Sequence, residues 1–312
     1  MDRYYTYSDY LIKKYGVKTY KLPVTIPVSC PNRDGNIATG GCDFCGENSG
    51  GFESLPARKP VGEQLLELKD FIAERYNAEK FIAYFQNYTN TYLPLEKLLD
   101  YLKEAQDIED VVELSFSTRP DCLSRRYLRE ILKSSRKKIS FEFGLQTVNY
   151  RTLKSVNRGH SLAEFLDVIM MTKDKDVDIG VHLILNLPGD TMIDVVENAK
   201  ILSALKVDTV KLHALYIAKG TVFADKYERG ELKVIPLEEY INRVIMFLEH
   251  LDPKIAVQRL LGRTPEENTL FVNWGLNWTK IHQMTINDME KRDTYQGKKF
   301  DYLDGKVLSK FT

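Results

Sequence analysis

Three of the four cysteines lie in one short stretch, C-P-N-R-D-G-N-I-A-T-G-G-C-D-F-C, which runs from Cys30 to Cys45. Cys42 lies between the other two, so the spacing is C-x11-C-x2-C. One proline and three glycines interrupt the interval, which predicts a folded-back loop in place of a helix or strand. A single cysteine is typically a small buried apolar residue, but three on one loop predict a metal site or a cluster.

The number of ligands distinguishes between the kinds of metal site. A structural zinc ion needs a fourth ligand to complete its tetrahedron, and the histidine nearest in sequence is the distant His160. Cys122 is the remaining cysteine, and its context fits a core residue as well as a ligand. An iron–sulfur cluster suits three thiolates better, because a four-iron cluster then keeps one iron without a protein ligand. We expect a substrate or cofactor to coordinate that iron.

The charge balance narrows the choice of partners. Lys plus Arg and Asp plus Glu both number 44 among the 312 residues, so no global basic field indicates a nucleic acid. The amino terminus has no apolar signal segment, and no run is long and apolar enough to cross a bilayer. We therefore expect a cytoplasmic protein without a membrane partner, in which clustered thiols stay reduced.

Strand-like and helix-like segments alternate along most of the chain. The predicted strands are 23–29, 80–85, 111–117, 140–145, 178–185, 209–216 and 255–261. The predicted helices are 8–15, 61–76, 95–104, 124–134, 161–172, 191–205, 237–251 and one that starts at Thr264, with Pro265 at its first position. This alternation is typical of a parallel sheet covered by helices, so the predicted fold class is α/β. The first strand is expected to deliver Cys30 from its carboxyl end.

Six further motifs follow in order, at or just beyond the predicted strands. They are Tyr84-Phe85-Gln86 with Tyr88-Thr89-Asn90-Thr91-Tyr92, Thr118-Arg119-Pro120-Asp121, Gly144-Leu145-Gln146-Thr147, Asn157-Arg158-Gly159-His160, Leu187-Pro188-Gly189-Asp190 and Lys211-Leu212-His213. With C-P-N-R-D-G and G-G-C-x-F-C, they make residues 4–260 resemble the radical S-adenosylmethionine (SAM) enzymes. The resemblance extends to a group of small bacterial members related to the radical SAM domain of the Elongator catalytic subunit.

The resemblance implies a partial (β/α)6 TIM-like barrel of the radical SAM type with a short carboxyl-terminal extension. It implies that Cys30, Cys42 and Cys45 hold a [4Fe–4S] cluster whose open iron binds SAM, with Phe44 beside the adenine. A reductant such as flavodoxin or ferredoxin then supplies the electron that cleaves SAM into methionine and a 5′-deoxyadenosyl radical. The radical abstracts hydrogen from a substrate that the barrel binds, orients and shields from water.

Three regions follow from this reading of the chain. We expect an amino-terminal extension over 1–22, the radical SAM barrel over 23–262, and an extension over 263–312 that covers the barrel or contacts substrate. The last part of the chain looks irregular. We expect Trp274 and Trp278 to pack this tail on the barrel, although tryptophans can also stack on nucleic-acid bases.

Side chains at the strand ends are candidates for binding SAM or substrate, since ligands of parallel barrels lie at that edge. With Phe44, the cofactor-binding candidates are Gln86, Thr118, Arg119, Glu142, Gln146, His182 and Asn186. The catalytic or substrate-binding candidates are Asn90, Arg158, His160, Lys211, His213 and Lys219. Arg119 suits a bidentate pair with the SAM carboxylate. Asp121 could fix Arg119 or cap the following helix, and we expect the capping role.

The resemblance also implies a tRNA substrate. The Elongator branch modifies C5 of the wobble uridine, and the small bacterial group remodels the carboxymethylaminomethyl side chain there toward aminomethyl. RNA binding would rely on local basic pairs, and the candidates are Lys13-Lys14, Arg125-Arg126 and Lys298-Lys299. Two alternatives stay open: a radical SAM oxidoreductase acting on a small molecule or protein, and a non-catalytic iron–sulfur redox sensor.

Overall fold

Ten helices and nine strands occur in the described residues of the computed structural model, which are 3–46, 55–264 and 266–311. The helices are α1 (Tyr7–Tyr15), α2 (Val61–Tyr76), α3 (Leu95–Gln106), α4 (Arg125–Ser134), α5 (Tyr150–Ser155), α6 (Leu162–Thr172), α7 (Met192–Leu205), α8 (Val222–Glu228), α9 (Leu237–His250) and α10 (Trp278–Lys291). The strands are β1 (Thr19–Val24), β2 (Lys80–Phe85), β3 (Val111–Thr118), β4 (Lys138–Gln146), β5 (Val177–Ile184), β6 (Thr209–His213), β7 (Ile217–Ala218), β8 (Ala256–Arg259) and β9 (Thr269–Phe271). None of the described helices is both long and apolar enough to cross a membrane.

Seven of the described strands form one parallel sheet in the order β1-β2-β3-β4-β5-β6-β8. Helices connect successive strands and cover the outer face, as parallel pairing requires. The predicted α/β fold with a partial TIM-like barrel is therefore confirmed, and β8 adds a seventh strand to it.

The two faces of the sheet differ in polarity because side chains alternate along each strand. On the outer face, Phe85 and Phe116 stack with ring centroids 4.7 Å apart, and Phe141 continues the row 5.9 Å from Phe116. The inner face of β4 instead carries Ser140 and Glu142 between those apolar residues, and both are buried. The apolar outer face packs on the helices, and the polar inner face lines the barrel interior.

The first strand lies earlier in the chain than predicted. It covers Thr19–Val24 and not 23–29, and irregular chain follows it as far as Cys30. Pro23 stands inside the strand, opposite Tyr84 of β2. Among the described strands β1 pairs with β2 alone, so a residue without an N–H is tolerated at this edge.

Helix α1 closes the amino end of the barrel with a charged and aromatic cluster. Lys14 Nζ lies 2.7 Å from Glu113 Oε2 and also pairs with Asp178, and Tyr10 and Tyr15 donate to the same two carboxylates. Lys14 is therefore held inside the fold, which removes it from the basic pair that was predicted to contact RNA.

The segment after β8 differs from its prediction. A helix starting at Thr264 is wrong: Thr264 and residues 266–268 are not helical, and Pro265 lies outside the described residues. β9 follows instead and pairs antiparallel with β7, with Ile217 opposite Phe271. This non-local pairing overrides the capping pattern that favoured a helix.

The carboxyl-terminal part is more regular than predicted. Helix α10 begins after Asn277, whose side chain accepts a hydrogen bond from Thr279 N, and it buries Ile281 and Met289. Trp274 packs the tail as expected: its Nε1 donates to the carbonyl of Ile235 at 2.8 Å.

The capping box of α6 gives a direct test of a local feature. Ser161 Oγ accepts from Ala163 N at 3.2 Å, and Glu164 accepts from Ser161 N at 2.8 Å. We expect Ser161→Ala to lower the free energy of unfolding by about 1 kcal/mol, because the N–H of Ala163 loses the hydroxyl oxygen that accepts from it. Urea denaturation measures this, with Ser8→Ala on the exposed face of α1 as control. An equal effect in both variants would contradict the assignment.

Candidate active site

The carboxyl ends of the parallel strands meet at one edge of the sheet, where they surround a cavity of about 620 Å³. The predicted residues that line it are Cys30, Cys42, Phe44, Cys45, Gln86, Thr118, Arg119, Gln146, Arg158, His182, Lys211 and His213. The cysteine loop and the strand ends of the barrel thus face one common space.

The cysteine loop is folded back on itself, as its glycines predict. Gly40 and Gly41 have φ values of 79° and 91°, which favour glycine, and Gly41 N donates to the carbonyl of Asn32 at 2.8 Å. Two amides fix the loop to the segment after α5: Asn32 Nδ2 donates to the carbonyl of Asn157, and Asn157 Nδ2 donates to that of Gly41. The barrel therefore determines where the thiols lie.

Nitrogen donors surround two of the three thiols. Cys42 Sγ lies 3.5 Å from Arg158 Nη1 and 3.6 Å from Asn32 Nδ2, and Cys45 Sγ lies 3.5 Å from Arg33 Nη1. Burial raises the pKa of the Cys42 thiol, and the neighbouring Arg158 opposes that rise. Such cations and N–H donors stabilise iron-bound thiolates and tune a cluster's potential. The donor set fits an iron–sulfur cluster.

Among the residues that the structure describes, no three His, Cys, Asp or Glu side chains are placed to hold a single metal ion. A four-iron cluster makes a different demand, because each thiolate binds its own iron. Cys122 lines a neighbouring cavity, where burial, assisted by Asp121, raises its pKa to about 12.

Arg119 forms an internal ion pair. Its Nε and Nη2 donate to the two carboxylate oxygens of Asp121 at 2.9 and 2.7 Å, and Nη1 donates to the carbonyl of Arg158 at 2.8 Å. Burial acts to lower the pKa of Arg119, but the pair with Asp121 raises it overall. The expectation that Asp121 caps the next helix is wrong, because Ser124 caps α4. Binding of the SAM carboxylate by Arg119 stays a prediction.

Two residues of the cavity wall have a strained backbone. Gln146 and Tyr88 line it with φ values of 77° and 47°, in the left-handed region that non-glycine residues rarely adopt. A Cβ on Gly144 would lie 2.9 Å from Gln146 Nε2 and 3.0 Å from Arg158 Nη2, so a larger residue would displace the ends of these two side chains. Strain of this kind is typical of residues held in place for a ligand.

A buried carboxylate lies beneath the cavity, inside the barrel. Glu142 is 2% exposed and pairs with Lys21, with His182 Nε2 at 2.7 Å and with Lys211 Nζ at 3.3 Å. Gln258 Nε2 also donates to it at 2.7 Å. Burial acts to raise the pKa of Glu142, but Lys21, Lys211 and His182 together hold it well below its usual value. Glu142 is therefore ionised at neutral pH.

The basic residues around this carboxylate have strongly lowered pKa values. Burial lowers the pKa of Lys211 to about 7 against the opposing effect of Glu142, and Lys211 Nζ donates to Tyr84 Oη at 2.9 Å. Burial and Lys211 lower the pKa of His182 to about 4. Burial and Arg259 hold that of His213 well below its usual value. Both histidines are therefore neutral at pH 7.

Five predicted site residues do not line the cavity, and they are Asn90, Glu142, His160, Asn186 and Lys219. Asn90 Nδ2 joins two strand ends by donating to the carbonyls of Phe85 and Ser117, each at 2.9 Å. Asn186 Oδ1 accepts from the backbone N–H of Leu215 at 2.6 Å. These two amides support the cavity wall.

The other three also have defined surroundings. The ring of His160 lies 3.2 Å from the carbonyl oxygens of Gly144 and Ser161, and burial, with Arg158, lowers its pKa to about 3. Lys219 is exposed in the turn after β7. Glu142 lies beneath the cavity and contacts Lys211, which lines it.

Sequence reasoning missed several residues that line the cavity. Arg33 lies inside the C-P-N-R-D-G motif and Tyr84 begins the motif that ends at Gln86, so both could have been found. Arg259 and Tyr216 also line it, but neither belongs to a motif. Their position depends on the pairing of β6 with β8, which local sequence does not reveal.

The barrel, the cysteine loop and the shared cavity together define a class of enzyme. Residues 32–202 match the radical SAM superfamily, and residues 207–291 match the radical SAM C-terminal domain. The chain belongs to the radical SAM superfamily, whose members use a [4Fe–4S] cluster and SAM. The resemblance found in the sequence is confirmed.

Individual relatives are similar over most of the chain. YtqA of Bacillus subtilis is 32% identical over 305 residues, which cover 97% of this chain and 94% of that protein. YhcC of Escherichia coli is 32% identical over 277 residues, 88% of each chain. A solved structure of Elp3 from Methanocaldococcus infernus matches with a TM-score of 0.68 and 17% identity, and covers 89% of this chain and 64% of that one. This last likeness shows the shared fold.

Proposed function

We propose that this radical SAM enzyme modifies tRNA at the C5 side chain of the wobble uridine and converts carboxymethylaminomethyl to aminomethyl. The two carbons of the carboxymethyl group would leave as glyoxylate, with water supplying the aldehyde oxygen and SAM, cleaved to methionine and 5′-deoxyadenosine, serving as the two-electron oxidant. The motifs that resemble the Elongator-related bacterial group support this substrate. The fold shared with Elp3 agrees with it. The observation that carries the choice is the charge beneath the cavity, where Lys21 and Lys211 share one carboxylate, Glu142, and Arg259 has no carboxylate partner among the described residues.

That excess of positive charge suits a substrate with a negatively charged side chain. Buried cations without enough anionic partners are unfavourable, and a bound carboxylate would relieve this. The carboxymethyl group carries such a carboxylate, and the aminomethyl product lacks it. The cavity would therefore bind the substrate more tightly than the product, which favours product release.

Each part of the site has a proposed task. Cys30, Cys42 and Cys45 would hold the cluster, with Arg33 and Arg158 stabilising the thiolates. The cluster and SAM supply a 5′-deoxyadenosyl radical when they are bound.

The strand ends would orient both ligands and exclude water from them. Phe44 packs against Phe223, with ring centroids 6.3 Å apart, and would contact the SAM adenine. Gln86 and Gln146 lie on the same cavity wall as candidates for polar contacts to SAM.

The start of α4 carries an exposed pair of arginines. Arg125 and Arg126 are exposed there, just after the carboxyl end of β3 and hence near the cavity. Lys299, from another predicted basic pair, is instead paired with Glu249. We propose that the Arg125-Arg126 pair contacts the phosphate backbone, and that flavodoxin or ferredoxin serves as reductant.

Nucleoside analysis of tRNA from a deletion strain tests the proposed substrate. We expect carboxymethylaminomethyluridine to accumulate at the wobble position and its aminomethyl derivatives to disappear. Complementation with the wild-type gene should restore them, whereas a Cys42→Ala copy should not. An unchanged wobble profile, while purified protein still cleaves SAM, would favour an oxidoreductase acting on a small molecule or protein. An intact cluster without SAM cleavage would favour the redox sensor.

A further inference from the structure

Three basic side chains form a row across neighbouring strands at the cavity wall. His182 of β5 is in register with Lys211 of β6, and Lys211 is in register with Arg259 of β8. All three line the cavity. Parallel strands in register present such residues side by side on one face, so the row is a feature of the barrel itself.

Arg259 differs from the other two because no carboxylate of the described residues binds it. His182 and Lys211 both contact Glu142. Arg259 Nη2 lies 2.9 Å from His213 Nδ1, and its Nε is buried with no hydrogen-bond partner among the described residues. The histidine is neutral, so this contact provides no counter-charge.

The charge state of the groups around Arg259 indicates which ligand suits it. Tyr84 and Tyr216 stand beside it in the cavity, and burial raises the pKa of both phenols, so both are neutral donors at pH 7. A buried guanidinium with an unpartnered Nε–H, flanked by two neutral phenols and by the Lys211 amino group, is suited to a planar anion with two oxygens.

We propose that Arg259 binds a carboxylate of the substrate, with Lys211 alongside, and thereby selects the carboxymethyl-bearing side chain. This inference rests on the proposed function, which supplies a substrate with that group. The aminomethyl product has no carboxylate and therefore cannot make this contact with Arg259. Arg259 is thus a specificity-determining residue.

SAM also has a carboxylate, and the cysteine loop provides other cations for it. Arg33 and Arg158 lie within 3.5 Å of cluster-loop sulfurs, and Arg119 contacts the carbonyl of Arg158. These arginines belong to the SAM end of the site. Arg259 belongs to β8, which β5 and β6 separate from β4, and the end of β4 supports the cysteine loop through Arg158. Loss of Arg259 should therefore affect the substrate and spare SAM.

Calorimetry with two nucleosides tests this assignment. The probes are 5-carboxymethylaminomethyluridine and 5-aminomethyluridine, titrated into reconstituted protein with SAM present. We expect wild type to prefer the carboxylate-bearing nucleoside. Arg259→Gln should weaken its binding by about 10- to 100-fold, the range for a charge-assisted hydrogen bond, and should leave the aminomethyl nucleoside and SAM nearly unchanged. Arg129→Gln, an exposed arginine on α4, is the control.

Several results would overturn the proposal. One is wild-type protein that binds the two nucleosides equally well. A second is an Arg259→Gln variant that still binds the carboxylate-bearing nucleoside more tightly. A third is an Arg259→Gln variant that loses affinity for SAM, or loses affinity for both nucleosides equally. Thermal unfolding checks that the variant folds. If it does not fold, Arg259→Lys takes its place. This variant should show a smaller loss of the same selectivity, because lysine keeps the positive charge but lacks the planar, bidentate donor geometry of the guanidinium.

The same variants separate this inference from the proposed function. A wild type that prefers the carboxylate nucleoside through Arg259 but converts no tRNA leaves the inference standing and refutes the tRNA substrate. A wild type that converts tRNA, together with an Arg259→Gln variant that converts it with unchanged KM, refutes the inference alone.

Discussion

The Cys42→Ala variant is expected to lose its cluster and all SAM cleavage. Cys42 is 6% exposed and is the thiol with two nitrogen donors, Arg158 and Asn32. Its removal leaves two thiolates for a cluster that needs three. After anaerobic reconstitution, iron content and visible absorbance should fall to the level of unreconstituted protein. No 5′-deoxyadenosine should form above a protein-free control.

Cys122→Ala is the matched control, since it removes a thiol that lines the neighbouring cavity. This variant should keep its iron and its SAM cleavage. Full iron retention by Cys42→Ala would contradict the assignment of Cys42 as a cluster ligand. Iron loss in Cys122→Ala would instead make Cys122 a ligand and reopen the choice of metal.

The second large effect is expected from Glu142→Gln. This isosteric change leaves Lys21 and Lys211 inside the barrel without their shared carboxylate. Breaking a buried ion pair from one side typically lowers the free energy of unfolding by about 3–5 kcal/mol. Urea denaturation of cluster-free protein at pH 7 measures the loss. Glu74→Gln, on the exposed side of α2, should change stability little.

The stability difference between wild type and Glu142→Gln should change with pH in a defined direction. Lys21, Lys211 and His182 hold the pKa of folded Glu142 well below its usual value, although burial acts to raise it. A carboxylate with a lowered folded pKa stabilises the protein above its unfolded pKa of about 4.3, and that stabilisation is lost as the pH falls. The difference between wild type and Glu142→Gln should therefore narrow below about pH 4.3. A difference that widens there would contradict the pairing.

The repeating part of the fold could be predicted from the sequence because its signals are local. The apolar strand Lys80–Phe85 was predicted with the bounds that it has, and so was the amphipathic helix Val61–Tyr76. Buried parallel strands and helices with one apolar face can be recognised from the pattern of apolar residues within a short stretch of sequence. Where pairing with a distant segment decides the structure, as for β9 with β7, the local pattern misled.

The errors at the two ends have different physical reasons. Pro23 suggested the beginning of a strand, yet it lies within β1, because an edge strand tolerates it. Helix α10 was missed although Ile281, Thr285 and Met289 recur at helical spacing and are buried. That pattern was available in the sequence, and the Lys-rich surroundings obscured it.

The candidate site was predictable to the extent that its residues sit in motifs. The cysteine loop, Arg158 and Lys211 all line the cavity, and each belongs to a motif at or beyond a strand. Arg259 and Lys21 could not be found in this way. Their role depends on charges that only the closed barrel brings together around Glu142.

The central claim is that the thiols and the strand ends form one radical SAM site acting on wobble uridine. The most direct test incubates reconstituted protein anaerobically with SAM, a reductant and tRNA from the deletion strain. We predict 5′-deoxyadenosine and aminomethyluridine in the same reaction, both absent with Cys42→Ala. An intact cluster that yields neither 5′-deoxyadenosine nor any change in the wobble uridine would contradict the claim.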